Sequence, residues 1–236
     1  MSMVQIVREQ LRSFPAGTII TLDDFKIVGS SRAALAMALT RLTKEGEIRR
    51  IRRGLYLKPK TSRFGALPPT SEAMIAGLGM QGKKSYTSGL LAFNKLGLTT
   101  QVPNILTLRG GNTTTRFNIN GTKFEIKAGR SPKSKRDVPL MVLLDSIREI
   151  KNIPDTNLIE SIQILKQKIS ALTRDEKVRL ITLALDDKPM VKALLGAILD
   201  ETNPELTTRI QQSMNTLTTY RLGQTNLKFA TKWKIK

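Results

Sequence analysis

The residue pattern predicts an α+β chain in three parts. Three observations carry this. Residues 1–60 alternate short helical and short extended stretches and end in a basic hairpin. A middle stretch holds three β-prone segments, the last two joined by Asn120-Gly121. From Val138 onward the apolar spacing is helical. The expected domains are therefore 1–60, 61–136 and 137–236: a winged helix-turn-helix, a small α+β domain and a C-terminal helical bundle.

Taking the front in order, Val4, Val7, Leu11 and Phe14 recur at helical spacing, and Pro15-Ala16-Gly17 ends that helix. Thr18-Ile19-Ile20 is β-prone. Thr21 caps a brief helix expected over Leu22–Ile27, with Asp24 in its first turn. Gly29 turns the chain, Ser30 or Ser31 caps a longer helix to about Glu45, and Gly46 closes it. The stretch EIRRIRRGLYLKPK, Glu47 to Lys60, reads as strands Glu47–Arg52 and Leu55–Lys58 joined at Arg53-Gly54. Ile48 and Ile51 have opposite parity in the first strand, which a bulge would reconcile.

Residues 61–70, TSRFGALPPT, are expected to be a linker. Helices are expected over 71–80 and 87–96, then strands Ile105–Arg109, Thr115–Asn118 and Thr122–Lys127, the last pair joined by a strong hairpin turn signal. A charged connection, RSPKSKRD, follows. Pro139–Ile150 and Leu158–Ile169 read as helices. Thr173-x-x-Glu176 is a capping box for a third, Pro189 starts a fourth, and Asn203-Pro204-Glu205 starts a fifth reaching about Tyr220. The tail from Leu227 is basic and expected to be extended.

The 236 residues hold no cysteine and no histidine. That excludes disulfides, Cys/His zinc sites and thiol or imidazole catalysis. No catalytic group, metal site or cofactor is expected. The net charge is +20, and it is uneven: residues 1–60 carry 12 Lys and Arg against 5 Asp and Glu, residues 61–136 carry 12 against 2, and the remainder 15 against 12. Such a front-loaded field attracts polyanions, of which nucleic acid is the abundant cytoplasmic example. The N-terminus MSMVQIVREQLRSF does not read as an export signal, and no apolar run reaches a membrane span, so a cytoplasmic location without membrane attachment is expected.

Helical phase sorts the third helix. Leu35, Ala38, Leu39 and Leu42 form its apolar side. Ala33, Met37, Thr40 and Lys44 point the other way, with Arg32 and Arg41 on the flanks. A recognition helix needs this layout, and a basic hairpin beside it is the wing. Arg49, Arg50, Arg52 and Arg53 suit phosphate oxygens, and Arg53 at the tip suits a narrow minor groove. An ordinary amphipathic helix with basic edges would look similar in isolation. The surrounding helix and hairpin favour DNA.

Two other signals lead nowhere. Gly77 to Lys84 approximates a phosphate-binding loop, but Lys84 stands where Ser or Thr should hold magnesium, and no strand precedes it. Asp186-Asp187 suits a cap for the helix opened by Pro189 better than a metal site.

The stretches GSSRAALAMALTRLTKEGEIRRIRRGLYLKPKTSRFGALPP, TSGLLAFNKLGLTTQVPNILTLRGG and FNINGTKFEIKAG resemble AbiEi-type antitoxins, proteins of bacterial abortive-infection and type IV toxin–antitoxin systems that serve in phage defence. The likeness covers about residues 5–130. It implies an N-terminal winged helix that represses its own operon by binding promoter inverted repeats in double-stranded DNA, and a following domain that counteracts a nucleotidyltransferase toxin. By motif match, DNA-contacting roles fall to Ser31, Arg32, Thr40 and Arg41 on the helix and to Arg53 and Gly54 at the wing. Ala36 and Met37 depart from the pattern, because relatives often carry polar residues there. Two other readings stay open: a protein- or RNA-binding module without sequence-specific DNA binding, and a carboxylate- or lysine-based enzyme on nucleic acid.

Overall fold

The computed structural model describes residues 2–25, 31–52, 54–62, 65–67, 74, 85–119, 121–215 and 217–236. A capping box starts the first helix: Gln5 N donates to Ser2 Oγ over 3.3 Å and Ser2 N donates to Gln5 Oε1 over 2.8 Å. That helix, α1 (Met3–Ser13), turns Val7 and Leu11 inward. Strand β1 (Ile19–Thr21) follows, then one 3₁₀ turn, Leu22–Asp24, in which the Asp24 carboxylate accepts from Thr21 N (2.6 Å) and Thr21 Oγ1 (2.8 Å). The brief helix expected to Ile27 is thus 3₁₀ as far as it is described, and residues 26–30 lie outside the described residues. Ser31 Oγ accepts from Ala34 N (3.1 Å) and starts α2 (Arg32–Lys44). Gly46, at φ +77°, ends it in a Schellman arrangement: Glu47 N donates to Leu42 O and Gly46 N to Thr43 O.

Strands β2 (Arg49–Arg52) and β3 (Leu55–Leu57) form the hairpin, and with β1 they make a sheet of order β1-β3-β2. The register runs Arg49↔Leu57, Arg50↔Tyr56, then Arg52↔Leu55. Ile51 is therefore the extra residue of a bulge, which resolves the parity conflict between Ile48 and Ile51. Tyr56 and Ile20 pack with Val7, Leu11, Leu35, Leu39 and Leu42 in one core. The opposite face of the sheet is also buried, since Ile19, Leu55 and Leu57 are all covered. Order and pairing are those of a winged helix-turn-helix in an α+β chain.

The expected linker is partly a second hairpin, β4 (Lys60–Ser62) with β5 (Gly65–Leu67). It was illegible because its strands have three residues each and no apolar alternation. The helix expected over 71–80 and the Gly77–Lys84 run fall almost wholly outside the described residues. The helix expected over 87–96 is shorter. Tyr86–Ser88 is strand β6, Gly89 breaks the chain at φ +68° against Thr107, and α3 spans Leu90–Leu96. Strands β7 (Ile105–Gly111), β8 (Thr115–Ile119) and β9 (Thr122–Ala128) match the expectation, and a four-stranded sheet has the order β6-β7-β9-β8. In the β8–β9 hairpin, Phe117 and Phe124 are register partners and their rings stack at 5.5 Å.

The chain divides into two compact units. One comprises Met1–Tyr86 and Leu108–Ser131, the other Thr87–Thr107 and Pro132–Lys236, so segment 61–136 contributes to both. The second unit is mainly helical: α4 (Asp137–Arg148), α5 (Leu158–Ser170), α6 (Arg174–Ala184), α7 (Pro189–Asp200) and the short α8 (Thr208–Gln212). Its core runs through Leu144, Ile147, Leu165, Leu180, Leu194 and Ile198. The Thr173–Glu176 capping box is present as expected. Asp187 Oδ1 accepts from Lys188 N at 2.7 Å, but its carboxylate mainly holds Arg148.

Two expectations for the end of the chain fail. The fifth helix is only a 3₁₀ turn, Pro204–Leu206, and α8; Tyr220 instead exchanges backbone hydrogen bonds with the tail, donating to Lys234 O (2.7 Å) and accepting from Lys236 N (2.9 Å). The tail is not extended. It folds in turns that bury Leu227, Trp233 and Ile235 in the helical core. Lys228, Lys232, Lys234 and Lys236 all stay exposed, so the tail buries its indole without giving up the solvation of its charges.

Candidate nucleic-acid interface

The surface of α2 follows from its sequence phase. Leu35, Ala38, Leu39 and Leu42 are buried, while Ala33, Met37, Thr40, Arg41 and Lys44 are exposed on the other side. Met37 is 74 % exposed. Ala36, Met37, Thr40, Arg41 and Lys44 line a shallow open recess. From Ala33 to Lys44 this strip is about 16 Å long, compared with a major groove about 12 Å wide.

Each expected site residue has a definite place. Ser31 is the N-cap of α2 and its hydroxyl serves the helix. Arg32 is exposed in the first turn and pairs with Asp23 at 2.8 Å. Thr40 Oγ1 donates to Ala36 O (2.8 Å), leaving its oxygen available as an acceptor. Arg41 pairs through Nε with Glu45 at 3.0 Å. Arg49 and Arg50 are both exposed on the edge strand β2. Because side chains alternate along a strand, Arg50 shares the face of its partner Tyr56 and Arg49 the face of Leu57. Arg52 is placed by its backbone opposite Leu55, and Arg53 lies outside the described residues. Gly54 takes φ +75° in the turn, and a Cβ there would stand 3.5 Å from Leu22 Cδ1.

Four charged side chains alternate in sign along one line. Glu47 accepts from Arg8 Nε (2.7 Å), Arg8 Nη2 donates to Glu45 Oε2 (2.5 Å), and Glu45 Oε1 accepts from Arg41. The Glu47 hydrogen bond, with further help from both carboxylates, raises the Arg8 guanidinium above its ordinary pKa. The sequence reading missed Arg8 and Glu45. Glu45 had a signal in its four-residue spacing from Arg41; Arg8, 37 positions from Glu45, had none. Lys58, one of the hairpin's basic residues, is not part of this surface. Its Nζ donates to Leu11 O and Phe14 O, each at 2.7 Å, and so satisfies the C-terminus of α1.

Among the described residues no helix is long and apolar enough to cross a membrane. No curated protein matches the chain. The crystal structure of the RV2827C protein from Mycobacterium tuberculosis is similar, with a TM-score of 0.51 and 11% sequence identity over 98% of this chain and 89% of that one. At that identity the likeness concerns the fold alone. A family model described as a family of unknown function, DUF6088, matches residues 5–181. That match takes in the winged helix-turn-helix, the strands that follow and α4 to α6 as far as Ile181, and the chain belongs to the DUF6088 family.

Proposed function

We propose that the protein is a cytoplasmic, duplex-DNA-binding antitoxin of a bacterial type IV toxin–antitoxin system. In this reading the winged helix-turn-helix binds inverted repeats in its own promoter and represses the operon. The following domain counteracts a nucleotidyltransferase toxin. The protein acts by binding, without a cofactor and without catalysis.

The observation that carries the DNA-binding part is the α2 surface. An exposed strip of Ala33, Met37, Thr40, Arg41 and Lys44 lies opposite a fully packed stripe, and a hairpin edge follows directly in the chain, with Arg50 on the sheet face that packs on the helices and Arg49 on the other. A helix packed on one side and edged with cations on the other can enter a major groove while flanking arginines neutralise phosphates. The antitoxin part is supported by the sequence resemblance over about residues 5–130.

The test is a salt titration of binding to duplex DNA from upstream of the gene. Contact with about six phosphates gives a slope of log affinity on log salt near −5. Equal affinity at low and high salt rejects the reading. Co-expression with the neighbouring gene tests the second part: relief of a nucleotidyltransferase's growth arrest supports it, and continued arrest rejects it.

A further inference from the structure

Glu45 occupies a position that helix energetics disfavours. It is the C-cap of α2, where the helix dipole repels a carboxylate. It also stands four residues after Arg41, the weaker order for an i,i+4 ion pair. Both of its oxygens are nevertheless engaged: Oε1 accepts from Arg41 Nε and Oε2 from Arg8 Nη2. Arg8, held in turn by Glu47, fixes the plane of the carboxylate from a different helix.

This arrangement acts on Arg41. Its side chain is 69% exposed, and only Nε has a partner among the described residues. The Nη1/Nη2 end of this exposed guanidinium is left without a partner among the described residues and is available as a two-donor fork. Such a fork matches the O6 and N7 acceptors of guanine in the major groove. A phosphate approaching the same group is repelled by the charge of Glu45, whereas the O6 and N7 edge of a neutral guanine carries only partial negative charge and is repelled far less. A charge-assisted bond at Nε also removes side-chain freedom before DNA arrives, so less is lost on contact. One turn earlier, exposed Met37 offers an apolar surface of the kind that suits a thymine methyl.

We infer that Arg41 reads a guanine through its Nη1/Nη2 edge and that Glu45, anchored by Arg8, is its positioning residue. This rests on the DNA-binding reading above and names the base class that the helix selects. Arg41 supplies discrimination, and Glu45 supplies none of the contact energy itself.

The experiment uses the full chain and a randomised duplex library from which the wild type selects its preferred sequence. Affinities are then compared at fixed salt for the selected duplex, for a scrambled duplex of equal length, and for the selected duplex with 7-deazaguanine replacing each guanine in turn. The wild type loses about tenfold to a hundredfold at one guanine when N7 is removed. Arg41→Ala has lower affinity for the selected duplex and no remaining response at that position. Glu45→Ala loses affinity for the selected duplex, while its affinity for the scrambled duplex holds or rises. The inference is overturned if Arg41→Ala keeps the 7-deazaguanine response. It is equally overturned if Glu45→Ala strengthens binding to both duplexes in parallel, which would make Glu45 a simple electrostatic brake. Salt-independent or absent binding of the wild type to every duplex overturns the DNA-binding reading itself, and this inference with it.

Discussion

Trp233 lies directly against Gly196, so close that a Cβ on the glycine would stand 2.2 Å from Cζ3 and 2.3 Å from Cη2 of the indole. The ring is buried, and its Nε1 donates to the buried Asp200 carboxylate at 3.1 Å, four residues further along α7. The C-terminus thus completes the helical core. Gly196→Ala cannot be accommodated without displacing the ring, and overpacking of this kind costs about 1–3 kcal/mol or more. Trp233 is the only tryptophan in the chain, so its fluorescence reports the event alone. The expected result is a red-shifted emission and a lower urea midpoint. An unchanged midpoint would contradict this packing.

Lys58 belongs to the stability of the first helix. Lys58→Met keeps the aliphatic stem and removes the charge that serves Leu11 O and Phe14 O. Loss of two charge-assisted bonds at a helix end is expected to cost about 1–3 kcal/mol. The salt slope of DNA binding should stay where it was, because this ammonium is spent within the fold. Thermal melts and salt titrations of the same variant separate the two roles; a reduced slope with unchanged stability would reverse the assignment.

Arg49 and Arg50 should not be equivalent. Their register partners place Arg50 on the face of the sheet that packs on the helices and Arg49 on the other. Arg50→Ala is expected to reduce the salt slope by about 1 and weaken binding to all sequences alike. Arg49→Ala should leave the slope nearly unchanged. Equal losses from both would mean that DNA contacts the edge strand from both faces.

Asp137 makes the helical unit acid-sensitive. Its buried carboxylate accepts from Arg179 Nε (2.8 Å) and Nη2 (2.9 Å), and this pairing outweighs burial and holds its pKa below the ordinary carboxylate value. The folded value is the lower one, so the stabilisation is fully present above the unfolded pKa of about 4. It is lost as pH falls through the folded value. Asp137→Asn should lower stability at pH 7 by about 1–2 kcal/mol, given the partial exposure of Arg179, and should flatten the dependence of stability on pH below about 4. Chemical denaturation at several pH values checks this; identical pH profiles for wild type and variant would refute it.

The sequence by itself determined the elements whose chemistry is local. α1, α2, α5 and α6 have their caps within three residues of their first turns, and the buried stripe of α2 is the one its spacing predicts. The β8–β9 hairpin follows from its turn residues. The exposure of Ala33, Met37, Thr40, Arg41 and Lys44 was legible for the same reason: a helix repeats every few residues, so one buried stripe defines the opposite face.

The tertiary structure alone decided what depends on distant partners. The bulge at Ile51 appears only once β3 sets the register. Tyr86–Ser88 is a strand because a sheet receives it. The fifth helix ends at Gln212 and Tyr220 pairs with the tail instead, and Trp233 is buried against Gly196, which leaves room for it. In the candidate site, Arg8 joins Glu45 and Glu47 across 37 and 39 positions. Helix formation is driven by contacts within one turn, whereas strand pairing, core packing and ion pairing are set by whichever residues the folded chain brings together.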